Sequence, residues 1–593
     1  MTSKYIIPFI FIAGLGLSGC DGQKTPTKSN KAQIGDIQSP VKIYTARHII
    51  TMNAAQPESE AIAIDGSGTI LALGSLAELE SQYPDSIHDD GFSGKTLIPG
   101  LIDPHVHMTL GAMMYGLDFI PPWDMEDPDG TVAALPNKTA LLDAIKKIES
   151  RKPAKTDTDP LFLYGYHNLV QGDLTRQDLD AITTKRPLII WHFSGHDFYL
   201  NSKAIEIYDL KPDLAKKFHG VDLDEKGELT GRIYEDALLA LFPYFARHLM
   251  SPDHIAKGFN GFERLLKRSG VTTIAEMGYG IFGRKVEDSF LAAHYTQDDA
   301  YRLYLVPEHR AFRAEFKDGT VQAIQDMVAD KSRLAPVLPQ VKLFSDAAFY
   351  SQTMKLSAPG YIGGQSKGTD GLWVSKPEAL AGIMAPYWDA GLDIHIHSNG
   401  DAAQDSTLSA LQAQKVGQDG QRLIIEHAGL LTPQQLGKAQ SLGNVGLSAA
   451  SHYVHYMGES YAAAIGERIK YITPLASALK NNLAVTLHSD APLAPPQPLR
   501  AASVHMTRST RQGGTSTLTE RLNAEQALRA VTLDAAWSLG LEDEIGSLEV
   551  GKRADITVLG ENPLETNATD WPDITVWGVL IDGALHPANA DQK

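Results

Sequence analysis

Eight short apolar runs through the middle of the chain, most followed by a stretch of helical periodicity, constrain this sequence more than any other feature. They cover residues 96–107, 271–277, 302–307, 340–345, 392–398, 423–427, 445–449 and 483–489. Each has the length of a strand buried on both faces, which reads as a near-continuous apolar run because helices cover it on either side. Strands alternating with helices build a parallel sheet, and eight is the number that closes such a sheet into a barrel. The expected fold class is therefore α/β, a (β/α)8 TIM barrel over residues 96–545. The stretch 109–268, between the first and second runs, is far too long for a βα connection and reads as an inserted lid or subdomain. A ninth apolar run, 188–193, is assigned to it.

At 593 residues the chain accommodates such a barrel plus a satellite. Short β-like runs at 41–44, 61–64 and 70–73 are separated by turn signals such as Asp65-Gly66-Ser67-Gly68. Similar runs return at 556–559 and 576–581, after Gly551-Lys552-Arg553-Ala554-Asp555. Residues 41–95 and 546–593 are thus expected to form one small β-sandwich from both terminal regions.

The first twenty residues carry Lys4, an apolar run over 5–17, and then Ser18-Gly19-Cys20. That run is too short to span a bilayer and has the layout of a secretory signal. Its ending resembles a bacterial lipobox, which implies a lipoprotein-type signal peptide over 1–20 and lipidation at Cys20; an ordinary signal peptide with an incidental cysteine is the alternative. Residues 21–40, rich in Lys, Ser, Thr, Gln and Pro, read as a flexible tether. The expectation is an exported lipoprotein held at a membrane of the cell envelope or periplasm. Cys20 is the only cysteine, so neither a disulfide framework nor a thiolate metal site can form. A net charge of −18 without a basic stripe argues against a nucleic-acid partner.

Polar residues of ligand type cluster at the ends of the runs. The first ends Asp103-Pro104-His105-Val106-His107, and alternation along a strand puts Asp103, His105 and His107 on one face, near the end where barrel active sites are built. Neutral imidazole is the commonest ligand of a borderline metal such as zinc. The fourth run contains Lys342, an unusual place for a cation. The fifth ends His395-Ile396-His397-Ser398-Asn399-Gly400-Asp401, the sixth Glu426-His427, and the eighth His488-Ser489-Asp490-Ala491-Pro492.

This ordered set, with Ser194-Gly195-His196, Asn201-Ser202-Lys203-Ala204 and the closing run from Gly546 to Asp555, resembles the amidohydrolase superfamily, in its YtcJ-like or amidohydrolase-3 branch. The resemblance implies two divalent metal ions, with zinc the expected metal. His105 and His107 would hold the first, His397 and His427 the second, and Asp490 would be both ligand and proton carrier. Lys342 would bridge the ions as a carbamate; a neutral Lys342 paired with Asp346 is the alternative. His395 and His488 are expected to hydrogen-bond behind the ligands.

The chemistry implied is hydrolysis of a non-peptide, amide-type C–N bond of a small molecule through a metal-bound hydroxide, with Asp490 as the catalytic acid–base group. The alternatives are ester hydrolysis or deamination on the same scaffold, and a non-catalytic ligand-binding lipoprotein. His488 replaces a common glycine, and Ala449-Ala450-Ser451-His452 replaces a common Gln-Pro pair. Both departures face the substrate, and His452 is a candidate substrate contact. His196 is another, unless it is merely exposed or capping. Tyr115, Phe119, Trp123, Tyr164 and Tyr166 suggest an apolar or aromatic group near the mouth, core packing being the competing explanation.

Overall fold

The computed structural model describes residues 40–588, apart from 235–236, 365, 416 and 418–419. The signal segment with Cys20 and the tether up to residue 39 lie outside the described residues. Among those described, no helix is long and apolar enough to cross a membrane.

The eight barrel strands are, in chain order, Leu101–Val106, Val271–Tyr279, Arg302–Pro307, Gln340–Phe344, Asp393–Ser398, Leu423–His427, Val445–Ala450 and Ala484–His488. They are hydrogen-bonded in parallel as a group of three and a group of five. Single bridges carry the ring across both seams. Leu305 faces Val337 and Glu308 faces Lys342 at one; at the other Val106 faces Ala491, where the His107 N–H donates to the Ala491 carbonyl at 2.8 Å. The (β/α)8 barrel expected from the apolar runs is the fold of the chain.

The 96–107 run divides into two strands. Ile87–Pro99 belongs to the terminal sheet and Leu101–Val106 to the barrel, with the break at Gly100. The corner is tight: a Cβ on Gly100 would fall 2.0 Å from Thr272 Oγ1. Gly100→Ala is therefore expected to destabilise by about 1–3 kcal/mol through overpacking. Gly94→Ala, with nothing within 4 Å, should barely shift the urea midpoint. Equal midpoints for the two variants would contradict this account of the corner.

Both ends of the chain build one seven-stranded sheet, in the order Ala584–Pro587, Val576–Ile581, Ile556–Leu559, Ile87–Pro99, Lys42–Ile50, Glu58–Ile64, Ile70–Gly74. The strand Ile87–Pro99 joins its halves, running parallel to Lys42–Ile50 and antiparallel to Ile556–Leu559. Alternation sends Ile62 and Ile64 into one apolar cluster with Phe92, Leu97, Val558 and Leu580, and Ala61 and Ala63 into another with Ile43 and Leu79. Arg302, at the start of the third barrel strand, clamps the sheet in place through Asp555 at 2.6 and 3.0 Å and Asp582 at 2.5 Å.

The insertion holds a six-stranded sheet whose strands run from Asp118–Phe119 to Leu229–Tyr234, with the ninth apolar run forming Leu188–His192 inside it. The helix Pro252–Arg268 then packs against Met108–Met114 so closely that a Cβ on Gly258 would meet the Ala112 carbonyl. Aromatic side chains of the insertion lock onto the segments after the fourth and seventh barrel strands. Trp123 stacks on Tyr456 with centroids 4.6 Å apart, and Phe193 meets Tyr350 edge-on at 5.5 Å. The insertion therefore roofs the C-terminal mouth of the barrel.

Candidate metal centre

Two buried carboxylates organise the histidines. Glu426, on the sixth strand, lies 2.7 Å from His105 Nδ1 and 2.5 Å from His395 Nδ1, with His488 Nδ1 at 3.5 Å. A carboxylate can only accept, so His105 and His395 carry their protons on Nδ1 and present a lone pair at Nε2. Glu276, on the second strand, accepts in the same way from Nδ1 of His107, 3.3 Å away. It also accepts the N–H of Met108 at 2.6 Å, tying the start of the next helix to the same group.

With their tautomers set, the imidazoles converge on Asp490. His107 Nε2 is 3.2 Å and His105 Nε2 3.6 Å from Asp490 Oδ1. Ligand atoms of His105, His107 and Asp490 lie within 4.8 Å of one another, as do those of His105, His427 and His488. His488 Nε2 is 3.2 Å from His427 Nδ1, and its Nδ1 is 2.7 Å from the Ser448 hydroxyl. His427 and Asp490 both adopt left-handed backbone, φ 71° and 57°, which bends the strand ends. Non-glycine residues in that region are uncommon and cluster at functional sites.

The electrostatics suit a cation. Burial alone would raise the Asp490 carboxyl, but contact with His107 and the neighbouring imidazoles outweigh it and hold the group well below the usual carboxylate range. Burial opposes a charge on His107, yet Asp490 and Glu276 raise it to about 9. A proton on His107 thus balances anionic charge that a divalent ion would balance better. Burial keeps His105 and His427 neutral, the form that ligates. Lys342 is driven by burial down to about 8 against the pull of Glu426, Asp490 and Glu308. Its Nζ and His395 Nε2 are both buried without a hydrogen-bond partner. All donors are nitrogen or oxygen, a set that fits a borderline divalent metal.

Of the six ligands named from the sequence, His105, His107, His427 and Asp490 come together. His397 stands outside both clusters. Its Nε2 lies 3.2 Å from the Ala347 carbonyl and 3.0 Å from the Asn399 amide nitrogen, though its ring centroid is 4.5 Å from that of His427. Lys342 pairs in register with His395 on the adjacent strand. His488, expected behind the ligands, has ring atoms among them. Glu276 was not singled out and Glu426 was quoted beside His427 without a role, although each carried the signal that marked Lys342: a charge inside an apolar run.

His452 is buried on the helix Ser451–Met457, stacked on Tyr350 at 5.3 Å, with both ring nitrogens unpartnered. It lines a small cavity of about 30 Å³ that also touches His488 and Asp103. His196 is half-buried in the turn before Asp197–Leu200, its N–H donating to the Ser194 hydroxyl at 3.1 Å. Tyr115, Phe119 and Tyr164 pack on one another, and Tyr166 sits in the core of the insertion. Trp123 is the aromatic of that group that reaches across to Tyr456.

The amidohydrolase family matches this chain over residues 93–585. An N-substituted formamide deformylase of Arthrobacter pascens is 23% identical, over 91% of this chain and 96% of that protein. The putative amidohydrolase YtcJ of Bacillus subtilis (strain 168) is 22% identical, over 92% of this chain and 98% of its own. Among solved structures, an uncharacterized metal-dependent hydrolase from Pyrococcus horikoshii shares the fold at a TM-score of 0.67 and 20% identity, covering 89% of this chain and 99% of that one.

Proposed function

The chain belongs to the amidohydrolase family, and on that premise we propose that it hydrolyses a non-peptide, amide-type C–N bond of a small molecule with two zinc-class divalent ions. The observation that carries this reading is the pair of ligand clusters sharing His105, with Asp490 beside two of the imidazoles. His105, His107 and Asp490 would hold one ion; His427 and His488 would hold the other, with His397 one ring away. Lys342, as a carbamate, would supply an anionic oxygen between them.

When bound, the ions supply Lewis acidity and lower the pKa of a coordinated water from 15.7 to about 7. The remaining work falls to the chain itself. Asp490, held ionised by its imidazole neighbours, accepts the proton of the attacking water and returns it to the departing nitrogen, so the C–N bond breaks to a carboxylic acid and an amine. Glu426 and Glu276 keep His105 and His107 in the tautomer that leaves Nε2 free. The aromatic contacts of Trp123 and Phe193 keep bulk water from the mouth, and His452 offers an unpartnered ring nitrogen to the substrate.

Elemental analysis of undialysed protein is expected to find close to two equivalents of divalent metal per chain. Chelation should abolish turnover of a panel of formamides, N-acyl amino acids and lactams, and zinc should restore it. An active, metal-free protein would overturn the reading, and turnover confined to esters or amino-heterocycles would replace it with ester hydrolysis or deamination. The ending Leu17-Ser18-Gly19-Cys20 supports a further part of the same proposal, that a lipidated Cys20 holds the enzyme at a membrane of the cell envelope.

A further inference from the structure

His105, His107 and His395 each have a carboxylate against Nδ1, but His488 has a hydroxyl there instead. Its Nδ1 lies 2.7 Å from Oγ of Ser448 on the seventh barrel strand, and both side chains are buried. Ser448 pairs in register with Glu426 on one side and Thr486 on the other. Glu426 is 3.5 Å from the same nitrogen of His488, but its oxygens are already engaged, one 2.7 Å from His105 Nδ1 and the other 2.5 Å from His395 Nδ1. Ser448 is therefore the partner of His488 Nδ1.

The other ring nitrogen, Nε2, is 3.2 Å from His427 Nδ1. Two nitrogens bound at 2.0–2.1 Å to one tetrahedral ion stand about 3.3 Å apart, so this spacing suits a pair of ligands as well as a hydrogen bond. The position of one proton decides between them. With the proton on Nδ1, Ser448 accepts it and Nε2 offers a lone pair. With the proton on Nε2, Ser448 donates to Nδ1 and the two imidazoles close on each other. A hydroxyl can take either part, whereas an ionised carboxylate can only accept. The buried ring is thus hydrogen-bonded in both forms, with and without an ion.

We propose that Ser448 is the positioning residue that makes His488 a metal ligand. By accepting from Nδ1 it frees Nε2 for the space shared with His105 and His427, where the ligand atoms of the three lie within 4.8 Å of one another. This rests on the metal-dependent reading above, and it concerns how an ion is held rather than which bond is cleaved. Outer hydrogen-bonding partners of metal ligands typically contribute 10- to 100-fold to affinity.

The test titrates zinc against a competing chromogenic chelator, with no substrate present. Ser448→Ala is expected to weaken one ion by about 10- to 100-fold and to leave the other within about twofold. Ser448→Thr keeps the hydroxyl on a β-branched side chain suited to a strand, and should recover most of the loss. Thr486→Val is the control: Thr486 is also buried and its hydroxyl has no hydrogen-bond partner, so both affinities should be unchanged. Nitrogen NMR of the imidazoles in the unaltered, zinc-loaded protein should place the His488 proton on Nδ1, the His488 signals being identified by their loss in His488→Gln. A proton on Nε2 overturns the proposal, as does an equal loss of affinity in Thr486→Val. If zinc binds and Ser448→Ala holds every ion as tightly as before, the role of Ser448 fails and the metal-dependent reading stands. A protein that takes up no divalent ion overturns both.

Discussion

Asp490→Asn is expected to lower kcat by about 10²- to 10⁴-fold, the usual contribution of a general acid–base group, while metal content stays near that of the unaltered protein. Asparagine keeps the shape and one oxygen donor. It cannot accept the proton that the Asp490 carboxylate, held ionised by His105 and His107, would take from water. Metal stoichiometry and kcat measured on the same preparation separate the two roles. A variant with near-normal kcat would show that Asp490 is not the proton carrier, whatever the metals do.

Lys342→Ala should behave differently, with metal content and activity falling together. Its loss in affinity should exceed the 10- to 100-fold typical of outer hydrogen-bonding partners. A short carboxylic acid added to the alanine variant should restore part of both, since it can replace the missing oxygen ligand. Metal-free protein should also show a stability effect of opposite sign. Burial lowers the Lys342 amine from 10.5 to about 8, a folded-state pKa below the unfolded one. At neutral pH both states carry the proton and the folded state bears a penalty of about 3 kcal/mol; the penalty fades as pH rises from 8 towards 10.5. Lys342→Met should therefore stabilise the metal-free protein at pH 7, and a denaturant midpoint no higher than that of the lysine form would refute the unpaired charge.

Much of the architecture was legible in the sequence because its physics is local. Eight apolar runs named eight strands, and alternation along the first put His105 and His107 on one face. What was not legible acts across the barrel. Glu426 reaches His105 over a separation of 321 residues and Glu276 reaches His107 over 169, so no spacing rule connects them. The exchange of prominence between His397 and His488 has a similar origin. Left-handed residues at His427 and Asp490 turn the strand ends, and strict two-residue alternation does not record such a turn. The insertion resisted reading because its strands are short. The break at Gly100 was hidden because the apolar pattern runs straight through it, although the chain changes sheets there.

The terminal sheet sets the order in which this molecule can be completed. Ile87–Pro99 finds one neighbour, Lys42–Ile50, close by in sequence, but its other neighbour, Ile556–Leu559, arrives only after the whole barrel has been synthesised. Until then residues 96–99 of this strand have unpaired N–H and C=O groups on that edge, a template to which another extended chain can add. Pairings of such long range are slow, because loop closure must be met before the contact offers any return. Closing the sheet is thus expected to be a late folding step, with residues 96–99 open to aggregation until Ile556–Leu559 pairs with them.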